Sequence, residues 1–168
     1  LKEYKVKLYN DSTLIWIGWL DSEMYEENYS ESSNYPILFT ANDGLAILNR
    51  IKFLDDITED NYTGLETVFN VLTTALEKTE LEYSALYIGT SHTMQDRDGD
   101  ITLTSSETLF HKISANQDNY IDELGDTLTS REVIEAILAP FGLQMRMNPK
   151  DAGIYIYDYN YLETDSTS

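Results

Sequence analysis

The stretch Thr129-Ser-Arg-Glu-Val-Ile-Glu-Ala-Ile-Leu-Ala-Pro-Phe-Gly142 carries the clearest folding signal in this 168-residue chain. Thr129 and Glu132 have capping-box spacing, in which each side chain accepts a hydrogen bond from the other residue's backbone N–H. The apolar side chains that follow share one helical face: Val133, Ile134, Ile137 and Leu138. Pro140 and Gly142 predict the end of this helix.

A strand pair is predicted directly after this helix. Residues 143–147 and 153–159 alternate in polarity around an Asn-Pro-Lys-Asp turn, which is typical of a β-hairpin. Alternation places Ile154 and Ile156 on one face of the second strand. It places four tyrosines on the opposite face: Tyr155, Tyr157, Tyr159 and Tyr161.

A second helix is predicted upstream, because Thr63 and Glu66 repeat the capping-box spacing. Its buried face is predicted to carry Leu65, Val68, Phe69, Leu72 and Leu76. Residues 81–88 have the composition of a strand.

The first third of the chain is rich in strand signals. Residues 4–8 alternate between apolar residues and lysines, and Thr13 to Leu20 is rich in Ile and Trp, so these two segments predict a hairpin. The acidic segment 21–34 predicts a surface loop, and residues 35–41 predict a third strand. Residues 45–51 predict a short apolar helix or turn, capped by Asp43.

This order of elements predicts an α+β fold. An antiparallel, β-rich N-terminal part (a partial barrel or a sheet) is followed by a helix-containing α+β part that ends in a β-hairpin. The predicted organisation is a β-rich sheet segment at 1–54, an α+β segment at 55–162, and a polar linker at 163–168. Because strand signals begin at the first residues and the chain ends in a polar tail, we expect it to be an internal part of a longer polypeptide.

Composition restricts the classes of function. Thirty acidic residues against eleven basic ones give a net charge of −19, which repels phosphate backbones and disfavours nucleic-acid binding. No apolar run reaches the roughly 20 residues of a membrane helix, and the N-terminus lacks the pattern of a signal peptide. The absence of cysteine excludes disulfides, thiolate zinc sites and thiol nucleophiles.

Motifs of catalysis are also missing. The sequence contains no nucleophile elbow and no glycine-rich phosphate loop, and its eight glycines are scattered singly. His92 and His111 lie far apart outside any catalytic motif, which favours structural roles for both. A glycoside hydrolase uses a pair of carboxylates, but among thirty acidic residues no particular pair can be singled out from the sequence. We therefore expect a protein that is not an enzyme and that needs no cofactor.

One segment has the spacing of a calcium site. The segment 96–107 places oxygen ligands as an EF-hand loop does, and it predicts a Ca²⁺ site at Asp96, Asp98, Asp100, Thr102 and Glu107. Ile101 stands where such a loop needs glycine, and a β-branched residue disfavours that backbone bend. The alternative is an Asp-rich hairpin turn between strands, with Gly99 at its tip.

Thirteen tyrosines and two tryptophans leave two further readings open. Aromatic faces can stack on sugar rings, whereas tyrosine is also enriched in protein–protein interfaces, because its ring is apolar and its hydroxyl is polar. The sequence favours the interface, and a carbohydrate- or Ca-dependent module that binds a host surface is the alternative.

Two segments resemble tail proteins of phages and prophages of Bacteroidetes-type bacteria. The first is Thr13 to Leu20, tyrosines in the next loop at Tyr25 and Tyr29, and residues 37–48 with their T-A-N-D-G-L core. The second is residues 126–142 followed by Gly153-Ile-Tyr-Ile-Tyr157, where Ile154 departs from the aromatic residue of the family pattern. The resemblance covers roughly residues 4–54 and 105–159.

What the resemblance implies is a structural component of a phage tail, of the baseplate-hub class. Such hubs are multidomain rings, commonly trimeric, with β-barrel domains around a channel. The implied partners are other tail subunits and further copies of the same chain, and the implied location is the virion tail, assembled in the bacterial cytoplasm. Neither segment carries catalytic residues of the family.

Overall fold

The computed structural model describes residues 2, 4–27, 37–90, 95–96, 99–100, 107–148 and 150–158. For residues 22–27, 37, 95–96 and 99–100 only the backbone is described. Within these ranges the chain forms two α-helices and several small sheets, and no sheet closes into a barrel. The predicted α+β class is confirmed.

An open, three-stranded antiparallel sheet forms the N-terminal part, in the order β1-β2-β3. Its strands are β1 (Lys5–Asn10), β2 (Thr13–Glu27) and β3 (Ile37–Asn42). A 3-10 helix at Ile47–Arg50 follows, and the Leu45 N–H donates to the Asp43 carboxylate at 3.1 Å. The predicted hairpin and third strand are thus present, and Asp43 stabilises the turn ahead of the short helix.

The predicted loop at 21–34 is wrong for its first part. Strand β2 continues to Glu27, and Glu26 and Glu27 pair with Leu38 and Ile37 of β3. Backbone hydrogen bonds to β3 hold this acidic segment extended although its side chains show no apolar periodicity. Residues 28–34 lie outside the described residues.

The first helix begins later than predicted. Helix α1 (Val68–Glu77) is capped by Thr67, whose hydroxyl accepts from the Asn70 N–H at 3.3 Å. Leu65, predicted on the buried helical face, lies instead in β4 (Leu65–Thr67) and is 78% exposed. The reason is tertiary: β4 pairs antiparallel with a strand at Ser114–Asn116, which holds residues 65–67 extended.

The described part of the middle of the chain contains four short strands. They are β5 (Leu86–Gly89), β6 (Gln95–Asp96), β7 (Gly99–Asp100) and β8 (Ser114–Asn116). The strand predicted at 81–88 is therefore confirmed only for its end, since residues 81–85 are irregular.

The second helix follows the sequence prediction closely. Helix α2 (Ser130–Leu138) begins at the capping box of Thr129 and Glu132, in which both reciprocal hydrogen bonds are present. The backbone N–H of Thr129 bonds the Glu132 carboxylate, which lowers its pKa. A 3-10 turn at Ala139–Phe141 then leads to Gly142, whose left-handed conformation (φ +62°) ends the helix.

The C-terminal hairpin is present as β9 (Gln144–Met147) and β10 (Ile154–Tyr157). A third strand, β5, joins β10 in parallel, giving the order β5-β10-β9. This parallel pair departs from the expected antiparallel pairing. Long-range parallel pairing leaves no turn signal in the sequence, since the two residues of the first pair, Leu86 and Ile154, are 68 positions apart.

Two hydrophobic clusters hold these elements together. The main cluster lies between the helices and the C-terminal sheet, and it includes Leu48 and Phe53 from the N-terminal third. The smaller cluster joins the inner face of the N-terminal sheet to the rest; its buried members are Ile17, Trp19, Ile47, Leu81 and Ala152. Tyr83 and Met147 contact both clusters. The division of the chain at residue 54 stays a prediction.

Candidate interaction surfaces

The residues of the predicted calcium loop are only partly described. Asp96 and Asp100 belong to β6 and β7, which pair antiparallel, and Glu107 forms an ion pair with Lys112 at 2.6 Å. Asp98 and Thr102 lie outside the described residues. In the described part of the chain, no three His, Asp or Glu side chains are grouped so that they could hold a metal. Calcium binding at this segment stays a prediction.

His111 has a structural environment. Its Nδ1 accepts a hydrogen bond from the Thr108 N–H at 3.0 Å, and its ring stacks on Phe69 at a centroid distance of 3.9 Å. These contacts cap the 3-10 turn Leu109–His111 and cover the side of α1. His92 lies outside the described residues, so the structure does not test the prediction for it.

The inner face of the N-terminal sheet is docked on the rest of the domain. Ile17 is fully buried, and the Trp19 indole N–H donates to the Thr79 carbonyl at 2.9 Å. On the same side, Lys5 and Lys7 form ion pairs with Glu82 at 3.8 and 2.9 Å. The hydrogen bond between Lys7 and Glu82 raises the pKa of Lys7 and lowers that of Glu82.

Basic residues near the N-terminus are thus used internally. Besides Lys5 and Lys7, Lys2 bonds Glu80 at 2.8 Å and the Lys78 carbonyl at 2.5 Å. The lysines that the sequence gathers at the N-terminus therefore clamp the first strand to the acidic turn after α1. They are not arranged as a free basic patch for an anionic ligand.

The opposite side of this sheet is apolar, and we call it the outer face. Register and alternation place on it Tyr4, Val6, Leu8, Trp16, Gly18, Leu20, Phe39 and Ala41. Tyr4 is 63% exposed, Leu8 54% and Phe39 58%. None of the eight carries a charge. Contiguous apolar surface of this kind is typical of interaction sites.

A β-bulge at one end of the β1–β2 hairpin changes which residues of β2 lie on each face. Leu8 pairs with Trp16 and Tyr9 with Leu14, so Ile15 is an extra residue in β2. The bulge keeps Leu14 against the smaller cluster and leaves Tyr9, which is 53% exposed, on the side opposite Leu8. Two neighbouring residues of equal exposure thus belong to different faces.

A second aromatic surface lies on the C-terminal sheet, and we call it the tyrosine face. Ile154 and Ile156 are buried towards the helices, so Tyr155 and Tyr157 point the other way, as alternation predicts. The rings of Tyr87 and Tyr155 are 4.5 Å apart, and the Arg146 guanidinium lies 5.0 Å from the centroid of the Tyr157 ring. Tyr159 and Tyr161 lie outside the described residues.

The cavity beside the N-terminal sheet is small. A cavity of about 90 Å³ lies beside the N-terminal sheet, between Trp19, Asp21, Asn42 and Arg50. This volume is well below the 300–1,000 Å³ of typical small-molecule sites. No α-helix in the described part of the chain is long and apolar enough to cross a membrane.

No protein-family model, curated protein or solved structure matches this chain. The resemblance to tail proteins therefore depends on the two sequence segments alone. The first of these segments supplies strands β2 and β3, and the second supplies α2 and the C-terminal hairpin.

Sequence reasoning missed several features of these surfaces. The exposure of Leu8 and Tyr4 was not evident, because their alternation predicts a half-buried strand whichever face is covered. The contact of Arg146 with the Tyr157 ring could not be predicted, since it depends on the pairing of β9 with β10.

Proposed function

We propose that this chain is a structural module of a phage tail or tail-like assembly, of the hub or baseplate kind, and that it acts by protein–protein contacts. The observation that carries the proposal is the outer face, where uncharged apolar side chains stay exposed. Covering such surface is favourable by roughly 25 cal/mol per Å² of apolar area removed from water. The tail context comes from the resemblance of the two segments.

Charge indicates which partner covers the outer face. Two copies that each carry −19 repel one another through most of their surface. The eight described side chains that define the outer face are uncharged, so copies that meet through these residues bring no carboxylates together. We therefore propose a second copy of this chain as the occupant, within a homo-oligomer for which the family resemblance favours a trimer. Other tail subunits are the further partners.

A matched pair of variants tests this interface. Leu8→Glu adds a charge to the outer face, and Tyr9→Glu adds the same charge on the opposite side of the same strand at equal exposure (54% and 53%). We expect the wild-type chain to self-associate in sedimentation velocity runs. Leu8→Glu should weaken association by about 30-fold or more, the size of a hot-spot loss of about 2 kcal/mol.

The control variant Tyr9→Glu should associate like the wild type, apart from a small general effect of the added charge. Equal melting temperatures of the two variants would show that both stay folded. A wild-type chain that is monomeric at about 1 mM, the weak end of specific affinities, would contradict the homo-oligomer. Equal weakening by both variants would exclude the outer face as the interface.

The tyrosine face favours a second function, a carbohydrate-binding module for a host surface. Paired rings such as Tyr87 and Tyr155 offer apolar faces to a sugar, and Asp151 beside them can accept hydrogen bonds from its hydroxyls. The Tyr155 hydroxyl is a donor at neutral pH, as any tyrosine is, and burial raises its pKa further above the ordinary value. Tyr87→Ala should then abolish binding on a glycan array, whereas Tyr9→Ala should not.

Calcium dependence of that second function is tested separately. If residues 96–107 bind the ion, saturating Ca²⁺ should stabilise the fold by RT ln(1 + [L]/Kd), about 2.7 kcal/mol at a hundredfold excess over Kd. Asp96→Asn should remove this gain in a thermal melt. No change of melting temperature at millimolar Ca²⁺ would exclude the metal site.

A further inference from the structure

Among the described residues, strand β9 is an edge of the C-terminal sheet, and its outward backbone groups can be assigned. The Asn148 N–H donates to the Gly153 carbonyl at 2.8 Å, so residues 148 and 153 form a hydrogen-bonded pair. Such pairs alternate along an antiparallel ladder. Arg146 and Gln144 therefore bond β10, whereas Met145 and Met147 direct their N–H and C=O groups away from it. No bond from these outward groups is found among the described residues.

A groove runs along this edge, between β9 and α2. One helical stripe of α2, at spacing i, i+3, i+4 and i+7, forms one wall: Arg131, Ile134, Glu135 and Leu138. Leu143, Gln144 and Met145 form the other wall, and the groove has a volume of about 460 Å³. Its floor is apolar, while Arg131 and Glu135 form an ion pair of 2.5 Å at its rim.

We propose that this groove binds an extended segment of a partner polypeptide, which adds to β9 as a further strand. The outward N–H and C=O groups of Met145 and Met147 recognise a backbone, whatever its sequence. Alternate side chains of the segment would lie over Ile134 and Leu138, which favours apolar residues at every second position. This site is separate from the outer face, so the inference goes beyond the proposed self-association.

Geometry argues against a second copy as the occupant of this groove. Antiparallel pairing of two β9 edges would place both α2 helices on the same side of strands about 4.8 Å apart, and a helix with its side chains is about 10 Å across. The two helices would therefore collide. A single extended segment has no such bulk on its far side.

The net charge of this chain indicates the charge of the segment that binds to the groove. The chain carries −19, and at the rim Glu135, whose side chain is 57% exposed, is offset by Arg131, so the excess negative charge comes from the chain as a whole. An extended segment with basic residues between its apolar ones matches this field, because opposite charges speed encounter and favour the correct partner. The structure thus points to a basic, alternating segment.

A displayed library of random twelve-residue peptides is the probe. Panned on the wild-type chain, it should enrich peptides with alternate apolar residues and net positive charge. Synthetic copies of these peptides should slow hydrogen exchange at the amides of Met145 and Met147. Methylation of the backbone nitrogens of every second peptide residue should abolish binding when those residues direct their N–H groups at β9. Methylation of the residues between them should have little effect, because only alternate residues face β9.

Two protein variants complete the test. Glu135→Lys should weaken binding of basic peptides by about fivefold, as expected for one exposed charge pair. Glu77→Lys makes the same charge change on an exposed helical position of α1, away from this groove, and should leave binding unchanged. Met145→Pro removes an outward N–H without removing a ladder bond, and should abolish binding.

Clear results would overturn the inference. The first is a library that shows no enrichment of peptides above background. The second is equal binding of peptides methylated at either set of alternate positions. The third is protection from hydrogen exchange at the other sheet edge (Leu86 and Ile88) instead of at β9. Bound peptide should leave self-association through the outer face unchanged, as measured by sedimentation velocity. The failure of either proposal is therefore distinguishable from the failure of the other.

Discussion

Gly18→Ala is expected to disrupt the N-terminal sheet. A Cβ atom at this position would lie 2.0 Å from the Asn42 carbonyl oxygen and 2.4 Å from the Trp16 ring. The first contact is with backbone of the neighbouring strand β3, which cannot move without breaking its pairing with β2. We expect a loss of about 3 kcal/mol or more in the free energy of unfolding, the upper end for overpacked sites.

Fluorescence can report this change selectively. The chain has two tryptophans, Trp16 and Trp19, and both lie in β2. In Gly18→Ala their emission should shift to the red at denaturant concentrations where circular dichroism still shows the helices. Self-association through the outer face should be lost together with the sheet.

Gly64→Ala is the matched control. Gly64 has a φ of +81° and open space around its Cβ position, so this substitution tests backbone strain without any clash. We expect it to cost about 1 kcal/mol, the range for a residue forced into the left-handed region. A loss for Gly18→Ala no greater than that for Gly64→Ala would contradict the close approach of β3.

Lys78→Met is expected to cost about 2–4 kcal/mol. The Lys78 side chain is only 3% exposed, and its ammonium group bonds the Leu54 carbonyl and pairs with Asp56 at 2.7 Å. It also lies 5.5 Å from the centroid of the Tyr62 ring. Methionine keeps the packing of the stem but leaves the carbonyl without its donor and removes the ion pair and the cation–π contact.

Lys78 holds the acidic segment 54–62 against the end of α1, so Lys78→Met should destabilise this segment more than the rest of the fold. Hydrogen exchange of the segment should rise more than that of α2. Asp56→Asn is the control, since Asp56 is 78% exposed and an exposed partner contributes about 0–1 kcal/mol. Urea denaturation of both variants measures the difference. Equal, small effects would show that the hydrogen bond to Leu54 does not anchor the segment.

Local chemistry made some elements predictable. Thr129 and Glu132 cap α2 with hydrogen bonds confined to one turn, so the start of this helix is confirmed. The same reasoning failed at Thr63, because the extended pairing of β4 with β8 overrides the local cap and the helix starts after Thr67. Capping-box spacing predicts a helix start only where no distant strand competes for the same backbone groups.

The candidate surfaces were less predictable than the elements. Alternation predicted that Tyr155 and Tyr157 share a face, and the structure confirms it. It could not show which face of the N-terminal sheet is covered. That depends on the docking of Trp19 onto Thr79 and on the ion pairs of Lys5 and Lys7 with Glu82, residues far away in the sequence.

Local patterns predicted the α+β class, the capped helix α2 and the C-terminal hairpin, because their signals are hydrogen bonds and polarity patterns within a few residues. The parallel pairing of β5 with β10, the exposure of the outer face and the place of β9 at the edge of the described sheet became known only from the folded chain. These features depend on contacts between distant segments. A pattern of polarity shows that a face can be buried, and the fold decides which surface covers it.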